Sequence, residues 1–405
     1  MPTEREHDIV VLGATGFTGA LTAEHLVRHA PAGTRLALAG RSPDKLAAVA
    51  ERLGAELPLL HADTDDPASL RAVAESTRVL VTTVGPYIEY GEPVAAACAA
   101  AGTAYLDLTG EPEFMDRVYV RHHARAVETG ARLLHACGFD SIPHDLGVRF
   151  TVEQLPEHVP LEVEGFVRAG GRPSGGTVAS AMLIVARARH AAAAARERRA
   201  LEPPLAGRRV RETQQAHKER RQTEGRENGR RVRLEAKPHR ELGYWAVPMP
   251  TIDPLVVRAS ARALDRYGPD FSYAHFIASR HLPAVAGIAA GMPLFAGLSH
   301  VPAARRLVSS RIAPGTGPSQ ERRAASWFKV RFLGRGGGRR VVTEVAGGDP
   351  GYTETSKMLG EAALALVHDD LPETAGQVTT AQAMGAALQA RLEAQGITVT
   401  VLEAG

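Results

Sequence analysis

Apolar runs that fit short strands alternate with helical patterns through the first 150 residues of the chain. This alternation is typical of a parallel sheet built from βαβ units, so the sequence predicts an α/β fold with a doubly wound sheet. The predicted strands are residues 8–12, 35–39, 57–61, 79–84, 104–108 and 132–136. The predicted helices between them are residues 17–28, 43–53, 67–74, 92–101 and 112–128.

The pattern changes after Phe150. A strand is expected at residues 161–168, and an Ala-rich helix is expected from Gly175. Apolar segments at 327–333 and 341–346 flank a glycine-rich turn and predict a hairpin. Two further helices, at 353–368 and 381–393, precede a last apolar run at 397–402. The second part of the chain is therefore expected to mix strands and helices.

The formal charge of +3 is unevenly distributed along the 405 residues. Residues 187–240 hold 17 basic and 7 acidic side chains, a net charge of +10, which leaves −7 for the rest. Within this segment, residues 206–243 have few apolar side chains and are predicted to be a solvated, flexible insertion. Interspersed acids and the lack of aromatic residues in this insertion argue against nucleic-acid binding.

Two cysteines, Cys98 and Cys137, and a charged N-terminus without an apolar leader favour a reducing, cytoplasmic environment. One segment complicates this assignment, because residues 282–298 are almost entirely apolar. The run is short for a spanning helix, so a buried or interface helix is the simpler interpretation. Peripheral contact with a membrane or lipid surface is the alternative.

A glycine motif directly follows the first predicted strand and opens the first predicted helix. A tight turn at this place lets the backbone approach a pyrophosphate, and the helix N-terminus supplies free N–H groups. The spacing GxxGxxG is a variant of the dinucleotide-binding fingerprint of Rossmann domains. The residues expected to contact the cofactor here are Gly13, Thr15, Gly16, Phe17, Thr18 and Gly19.

The end of the second strand predicts which dinucleotide binds. An acidic residue there would accept a hydrogen bond from the ribose of NAD and repel a 2′-phosphate, but this chain has Arg41, followed by Ser42 and Lys45. NADP(H) is therefore the expected cofactor. Further cofactor contacts are expected from Asp63 after the third strand, and from Val84, Gly85 and Pro86 after the fourth.

Other chemistries lack their motifs. The sequence contains no GxxxxGK[ST] loop, no HExxH or CxxC ligand pair and no GxSxG elbow. His122 and His123 are adjacent but fit one face of a helix better than a metal site. No metal is expected, and hydride transfer remains the favoured reaction.

Several short motifs follow one another along the chain. In the first 150 residues they are VLGATGFTG at 11–19, LAGRS at 38–42, TVGPY at 83–87, YG at 90–91, YLDLTGE at 105–111 and CGFDSIP at 137–143. Beyond residue 150 they are SGGT at 174–177, YG at 267–268 and PGTGPS at 314–319. Together these motifs resemble the saccharopine dehydrogenase-like oxidoreductases, and most closely the trans-acting enoyl reductases that serve polyketide synthases in lipid assembly.

The resemblance implies an NADP-binding Rossmann domain at 1–150 and a mixed α/β substrate domain at 151–405. It also implies that the helices within 353–393 return to the first domain. In the enoyl reductase branch, hydride from NADPH would reach the β-carbon of an unsaturated acyl thioester held on the carrier domain of a partner such as a polyketide synthase. The protein would then supply a proton.

Candidate proton donors lie where the carboxyl ends of the parallel strands form a crevice. Tyr87 is the first choice, because a phenol after the fourth strand can donate to an enolate. Asp140 and Tyr90 come next, although Asp140 also fits a plain helix start. The glycines of the PGTGPS segment fit either a rigid turn or a lid.

Two other functions remain open. A saccharopine-type reductase of an amino-acid-derived imine would need cations, such as Arg168 and Arg172, that converge on substrate carboxylates. A non-catalytic NADP(H)-binding scaffold would share the fold without turnover. A homodimer is one option for the oligomeric state.

Overall fold

The computed structural model describes residues 5–170, 175–212, 237–239, 242–249, 251–310 and 317–405. The first part of the chain alternates strands and helices. The strands are β1 (His7–Leu12), β2 (Leu36–Gly40), β3 (Leu59–His61), β4 (Thr77–Thr82), β5 (Ala104–Leu106) and β6 (Arg132–Leu134). The helices are α1 (Phe17–His29), α2 (Pro43–Leu53), α3 (Pro67–Ser76), α4 (Tyr87–Ala101), α5 (Pro112–Thr129) and α6 (Ile142–Glu153).

The middle of the chain supplies most of a second sheet. Its strands are β7 (Leu161–Gly170), β8 (Arg209–Glu212), β9 (Lys237–His239), β10 (Tyr244–Pro248), β11 (Asp270–Ser279), β12 (Trp327–Gly336) and β13 (Arg339–Gly347). Its helices are α7 (Gly175–Ala186), α8 (Ala188–Leu201), α9 (Asp253–Ala263), α10 (Leu282–Ser299), α11 (Pro302–Ser310) and α12 (Gln320–Ala324). A 3₁₀ turn covers Asp265–Tyr267.

The C-terminal part of the chain adds one strand to each of the two sheets. It contains α13 (Thr353–His368), β14 (Gly376–Val378), α14 (Thr380–Ala383), α15 (Gly385–Ala394) and β15 (Thr398–Ala404). Helix α13 packs against α1, and β14 pairs in parallel with β6. Strand β15 instead pairs with β13.

The first sheet is fully parallel, in the order β14-β6-β5-β4-β1-β2-β3. This order is a doubly wound Rossmann arrangement with one extra strand at the β6 edge. The second sheet is mixed, in the order β15-β13-β12-β7-β11-β10-β9, with β8 paired to β11. The fold class expected from the sequence is therefore confirmed.

One hydrophobic cluster joins the two sheets. It runs from Ile9 and Val81 in the first sheet, through Leu146 on α6, to Phe328 and Phe332 in the second. Gly147 lies so close to the Phe332 ring that an added Cβ would come within 2.3 Å of it. Helix α6 thus packs on the second sheet, although its first residues lie within the first domain expected at 1–150.

The prediction of a flexible insertion at 206–243 is wrong near both of its ends, where the chain forms strands. Residues 209–212 form β8 beside β11, and residues 237–239 form β9 beside β10. The middle of the predicted insertion lies outside the described residues. The hairpin of β12 and β13 turns at Gly337 and Gly338, both with positive φ, as a tight two-residue turn needs.

Within the described ranges, α10 is the single helix that is long and apolar enough to cross a bilayer. Residues 178–186 and helix α8 are long and apolar enough to cross a bilayer only when taken together, and they are bent by 69° relative to each other. Both cysteines are buried and unpaired.

Candidate active site

The glycine motif forms a backbone cradle between β1 and α1. Gly13 has φ +89°, and a Cβ on Gly19 would lie 2.3 Å from the carbonyl oxygen of Gly13. No side chain caps α1 at Gly16, so the first N–H groups of the helix are left for a ligand. This combination of space and donors fits a pyrophosphate.

The end of β4 lies against the same cradle. A Cβ on Gly13 would meet the Thr83 hydroxyl and the Val84 side chain at 2.8 Å each. Gly85 and Pro86 follow and lead directly into α4. The structure therefore brings the predicted residues after the first and fourth strands together, at the switch point of the sheet.

Arg41 directly follows β2, and its side chain is exposed and makes no hydrogen bond or ion pair with the described part of the chain. Ser42 is the N-cap residue of α2 and makes no side-chain capping bond, and Lys45 is exposed one turn later. These free donors fit a 2′-phosphate. Asp63 follows β3 and accepts a hydrogen bond from the Asp65 N–H (3.1 Å).

Phe17 and Thr18 contact the C-terminal half of the chain. The Phe17 ring meets the Tyr352 ring edge-on at 4.9 Å and lies under the Arg323 guanidinium at 5.6 Å. The Thr18 carbonyl accepts a hydrogen bond from Ser356 (3.3 Å), and Thr15 is exposed. The Phe17 ring thus packs against the C-terminal half of the chain, and its expected contact with the cofactor stays a prediction. Residues 314–316 of the PGTGPS segment lie outside the described residues. Gly317, which follows them, contacts the Phe17 ring.

Two buried carboxylates hold the loops that follow β5. Asp107 accepts hydrogen bonds from the Thr109 and Ala136 N–H groups and lies 2.6 Å from Nδ1 of His135. Glu111 accepts from the N–H groups of Tyr87 and Ile88 (2.9 Å each) and so caps α4. Both residues position the crevice loops.

The structure does not support Tyr87, the first-choice proton donor predicted from the sequence. Its ring is 7% exposed, its hydroxyl donates to the Thr82 carbonyl (3.2 Å), and it accepts from the Leu108 N–H (3.2 Å). Burial raises the pKa of Tyr87 well above its usual value. Both hydrogen-bonding directions are occupied, so Tyr87 packs the crevice wall and does not donate to substrate. Tyr90 is 36% exposed, and its catalytic role stays a prediction.

Asp140 lies on the loop between β6 and α6, with its carboxyl beside Gly110. The residue is exposed to solvent, while the carboxyl lies among neighbouring protein atoms. This surrounding protein and the negative charge of Asp253 raise the pKa of Asp140 to about 6, although His144 opposes the shift. Roughly a tenth of the carboxyl is then protonated at pH 7, and this fraction can act as a general acid.

A buried cluster of His144, Asp253 and His275 lies behind Asp140. Nδ1 of His144 is 2.7 Å from one Asp253 oxygen, and Nε2 of His275 is 3.6 Å from the other. Thr251 also donates to Asp253, and the Tyr273 hydroxyl lies 3.0 Å from Nδ1 of His275.

The charge of this cluster is fixed by its surroundings. Although burial opposes it, His144 and His275 hold the pKa of Asp253 below its usual value. Burial lowers the pKa of His275 to about 4, so this imidazole is neutral at pH 7. Asp253 therefore remains a carboxylate beside Asp140. Within the described residues, the same three side chains are the set that could hold a metal ion.

The outer wall of the crevice is apolar. Leu183 and Ile184 of α7 face Ile88 and Pro112 across a small pocket, and Ile184 also approaches Gly110 beside Asp140. Arg187 at the pocket rim forms a two-pronged ion pair with Glu113 (2.6 and 2.7 Å), which fastens the α7–α8 bend to α5.

The comparisons with known proteins agree with this geometry. Residues 9–134 match the family model of the saccharopine dehydrogenase NADP-binding domain. A trans-acting enoyl reductase of Mycobacterium ulcerans is 36% identical over 98% of both chains. A Mycobacterium tuberculosis protein, whose name assigns the same activity provisionally, is 39% identical over 98% of both chains.

The chain belongs to the saccharopine dehydrogenase-like oxidoreductases, among the trans-acting enoyl reductases. Apo saccharopine dehydrogenase of Saccharomyces cerevisiae has the same fold, with a TM-score of 0.56 at 10% identity over 98% of this chain and all of that one. NADP(H) as the cofactor and oxidoreductase as the class, both predicted from the sequence, are confirmed.

Sequence reasoning missed the buried cluster behind Asp140. Its members come from α6, α9 and β11, and 109 residues separate His144 from Asp253. His144 alone lies beside a recognised motif, CGFDSIP at 137–143. No spacing rule connects such distant positions. No element was predicted around Asp253 or His275, so the sequence offered no signal that joins the three residues.

Proposed function

We propose that this chain uses NADPH to reduce the Cα=Cβ double bond of an enoyl thioester, acting in trans on an acyl chain carried by a partner such as a polyketide synthase. Full-length similarity to trans-acting enoyl reductases supports the reaction. The glycine cradle and Arg41 would hold the cofactor, which supplies a hydride when bound.

The part of the reaction left to the protein is the delivery of a proton. Addition of hydride at Cβ moves the double-bond electrons onto the thioester as an enolate. A proton at Cα then completes the saturated thioester and leaves NADP⁺. Asp140 is the group assigned to this step, because it is exposed beside Gly110 and its pKa of about 6 leaves a protonated fraction near neutral pH that can donate. This observation carries the proposal.

The crevice favours an acyl group over an imino acid. Substrate carboxylates would need unpaired cations, but Arg187 at the described pocket rim is already neutralised by Glu113. Arg168 stacks on Tyr244 and Trp327 at 5.1 and 5.6 Å from their ring centroids. Arg172 lies outside the described residues. The apolar wall of Leu183 and Ile184 suits an acyl chain.

Oxidation of NADPH, followed at 340 nm, tests the reaction. Purified protein is given trans-2-enoyl thioesters of increasing chain length and, separately, a panel of imino acids. Turnover of enoyl thioesters is expected. Turnover of imino acids alone would favour the saccharopine-type reaction. Tight NADPH binding without turnover of either panel would favour a non-catalytic scaffold.

The role of Asp140 is tested by Asp140→Asn, which keeps the shape and removes the acid. We expect kcat to fall by a factor of about 10²–10⁴, the usual contribution of a general acid, with little change in NADPH binding. In the unmodified protein, kcat should fall as the pH rises through about 6, because the acid form is lost.

The Asp140→Asn variant should lack the fall of kcat as the pH rises through about 6. Asp265→Asn, at an exposed surface ion pair with Arg208, is the matched control and should behave as the parent protein does. An Asp140→Asn enzyme with the parental rate and pH profile would remove Asp140 from the mechanism.

A further inference from the structure

Helices α10 and α11 carry an apolar surface that the described protein does not cover. Only 6% of the residues of α10 are buried inside the protein. A Cβ added at Gly287, Gly291 or Gly297 would meet no atom within 4 Å. The exposed large side chains of this surface are Leu282 (41%), Ile288 (40%), Leu294 (68%), Leu298 (45%), Val301 (46%) and Leu307 (55%).

This concentration is unusual for a water-facing surface. A helix that is apolar on all sides is normally buried in a core or in lipid. Contiguous exposed apolar patches generally mark binding surfaces. Helix α10 also touches α7, β10 and β11, so one side is docked on the protein and the rest faces outward. This attachment fits a helix that lies along a surface better than one that crosses a bilayer.

The charges around this surface identify its partner. Residues 280–320 contain no Asp or Glu, whereas Arg280 precedes α10 and Arg305 and Arg306 lie on α11. Arg305 donates to the Ser299 carbonyl (2.6 Å), which fixes the turn between the two helices. Both ends of the apolar stretch are therefore basic. Two copies of the chain packed through this face, in either direction, would bring cations against cations.

We propose that residues 280–308, here called the apolar arm, dock the protein on the surface of an anionic lipid bilayer. The apolar side chains would enter the acyl boundary, and the arginines would pair with lipid phosphates. Helix α7 contacts both helices of the arm, and its Leu183 and Ile184 line the crevice pocket. A membrane bound by the apolar arm would therefore be separated from the candidate active site by one helix, α7.

Flotation of the full-length protein with phosphatidylglycerol–phosphatidylcholine vesicles tests the docking, with pure phosphatidylcholine vesicles for comparison. The parent protein should float with the anionic vesicles, and binding should weaken as salt is raised. Leu294→Glu combined with Leu298→Glu should reduce partitioning at least tenfold. Arg306→Glu should reduce it about fivefold or more. The control is Leu201→Glu, an exposed leucine (58%) on α8, which should bind as the parent does.

These positions are exposed, so the variants should retain the parental melting temperature and NADPH binding, which verifies folding. Equal partitioning onto neutral vesicles, or binding that survives the two leucine substitutions, would overturn the proposal. So would a parent protein that sediments as a dimer and becomes a monomer in the double leucine variant, since the arm would then join two copies. The assay contains no substrate, so its result is independent of the proposed reductase activity.

Discussion

Arg41 is the residue on which cofactor choice rests. Its guanidinium is exposed at the end of β2 and has no partner in the described part of the chain, as a phosphate-binding side chain requires. We expect Arg41→Asp to raise the KM for NADPH about 10- to 100-fold, because charge-assisted hydrogen bonds to the 2′-phosphate contribute about 1.5–3 kcal/mol. The KM for NADH should fall or stay constant. Arg52→Ala, an exposed arginine of α2, is the control. An unchanged ratio of the two KM values would contradict this role.

Residues whose function depends on local sequence were predicted best. Gly13, Gly19 and Arg41 could be placed because a strand, a turn and a helix follow each other within a few residues. Tyr87 could not be placed, because its role depends on where α4 begins. The pattern predicts a helix start at Glu92, but Glu111 caps the N–H groups of Tyr87 and Ile88 and extends the helix by five residues. The first turn then directs the Tyr87 ring into the core.

At the scale of elements, the β1–α1 turn depends on the absence of a side chain at Gly19. Gly19→Ala would place a Cβ 2.3 Å from a backbone oxygen, so the cradle itself must shift. We expect a loss of about 1–3 kcal/mol in stability, as for other overpacking substitutions, and at least tenfold weaker NADPH binding by fluorescence titration. Gly291→Ala lies in open space on α10 and should leave NADPH binding unaltered. Equal affinities for the two variants would show that the cradle does not hold the cofactor.

Elements with a regular local pattern were predicted, whereas several elements of the second sheet were missed. The βαβ series and the β12–β13 hairpin follow from apolar runs bounded by turn signals. Strands β8, β9 and β14 have three or four residues each, too few for a period to emerge. Strand β11 and helix α9 are longer, and they were not predicted either. Strands β8, β11 and β14 pair with distant segments, as Gly376 does with Arg132, so tertiary pairing makes these segments strands.

At the scale of the whole molecule, a buried ion pair between Arg198 and Asp116 helps to hold helix α8 against helix α5. Arg198 is 5% exposed and donates to Asp116 (3.1 Å), which is 2% exposed, and to Glu202 (2.8 Å). The Arg198 guanidinium also lies 4.5 Å from the Tyr119 ring centroid. Through the α7–α8 bend, this contact helps to hold the apolar wall of the crevice in place.

Removing the cation should therefore affect more than one helix. Arg198→Ala removes the cation that hydrogen-bonds to the buried Asp116, and we expect the free energy of unfolding to fall by about 3 kcal/mol in urea titrations. Arg199→Ala, an exposed neighbour on the same helix, should change it by less than about 0.5 kcal/mol. Replacing both partners, Arg198→Met with Asp116→Leu, should recover part of the loss, since the Asp116 carboxylate is then no longer buried and Glu202 keeps its ion pair with Arg262. If the two single variants are equally stable, α8 is held by apolar packing instead.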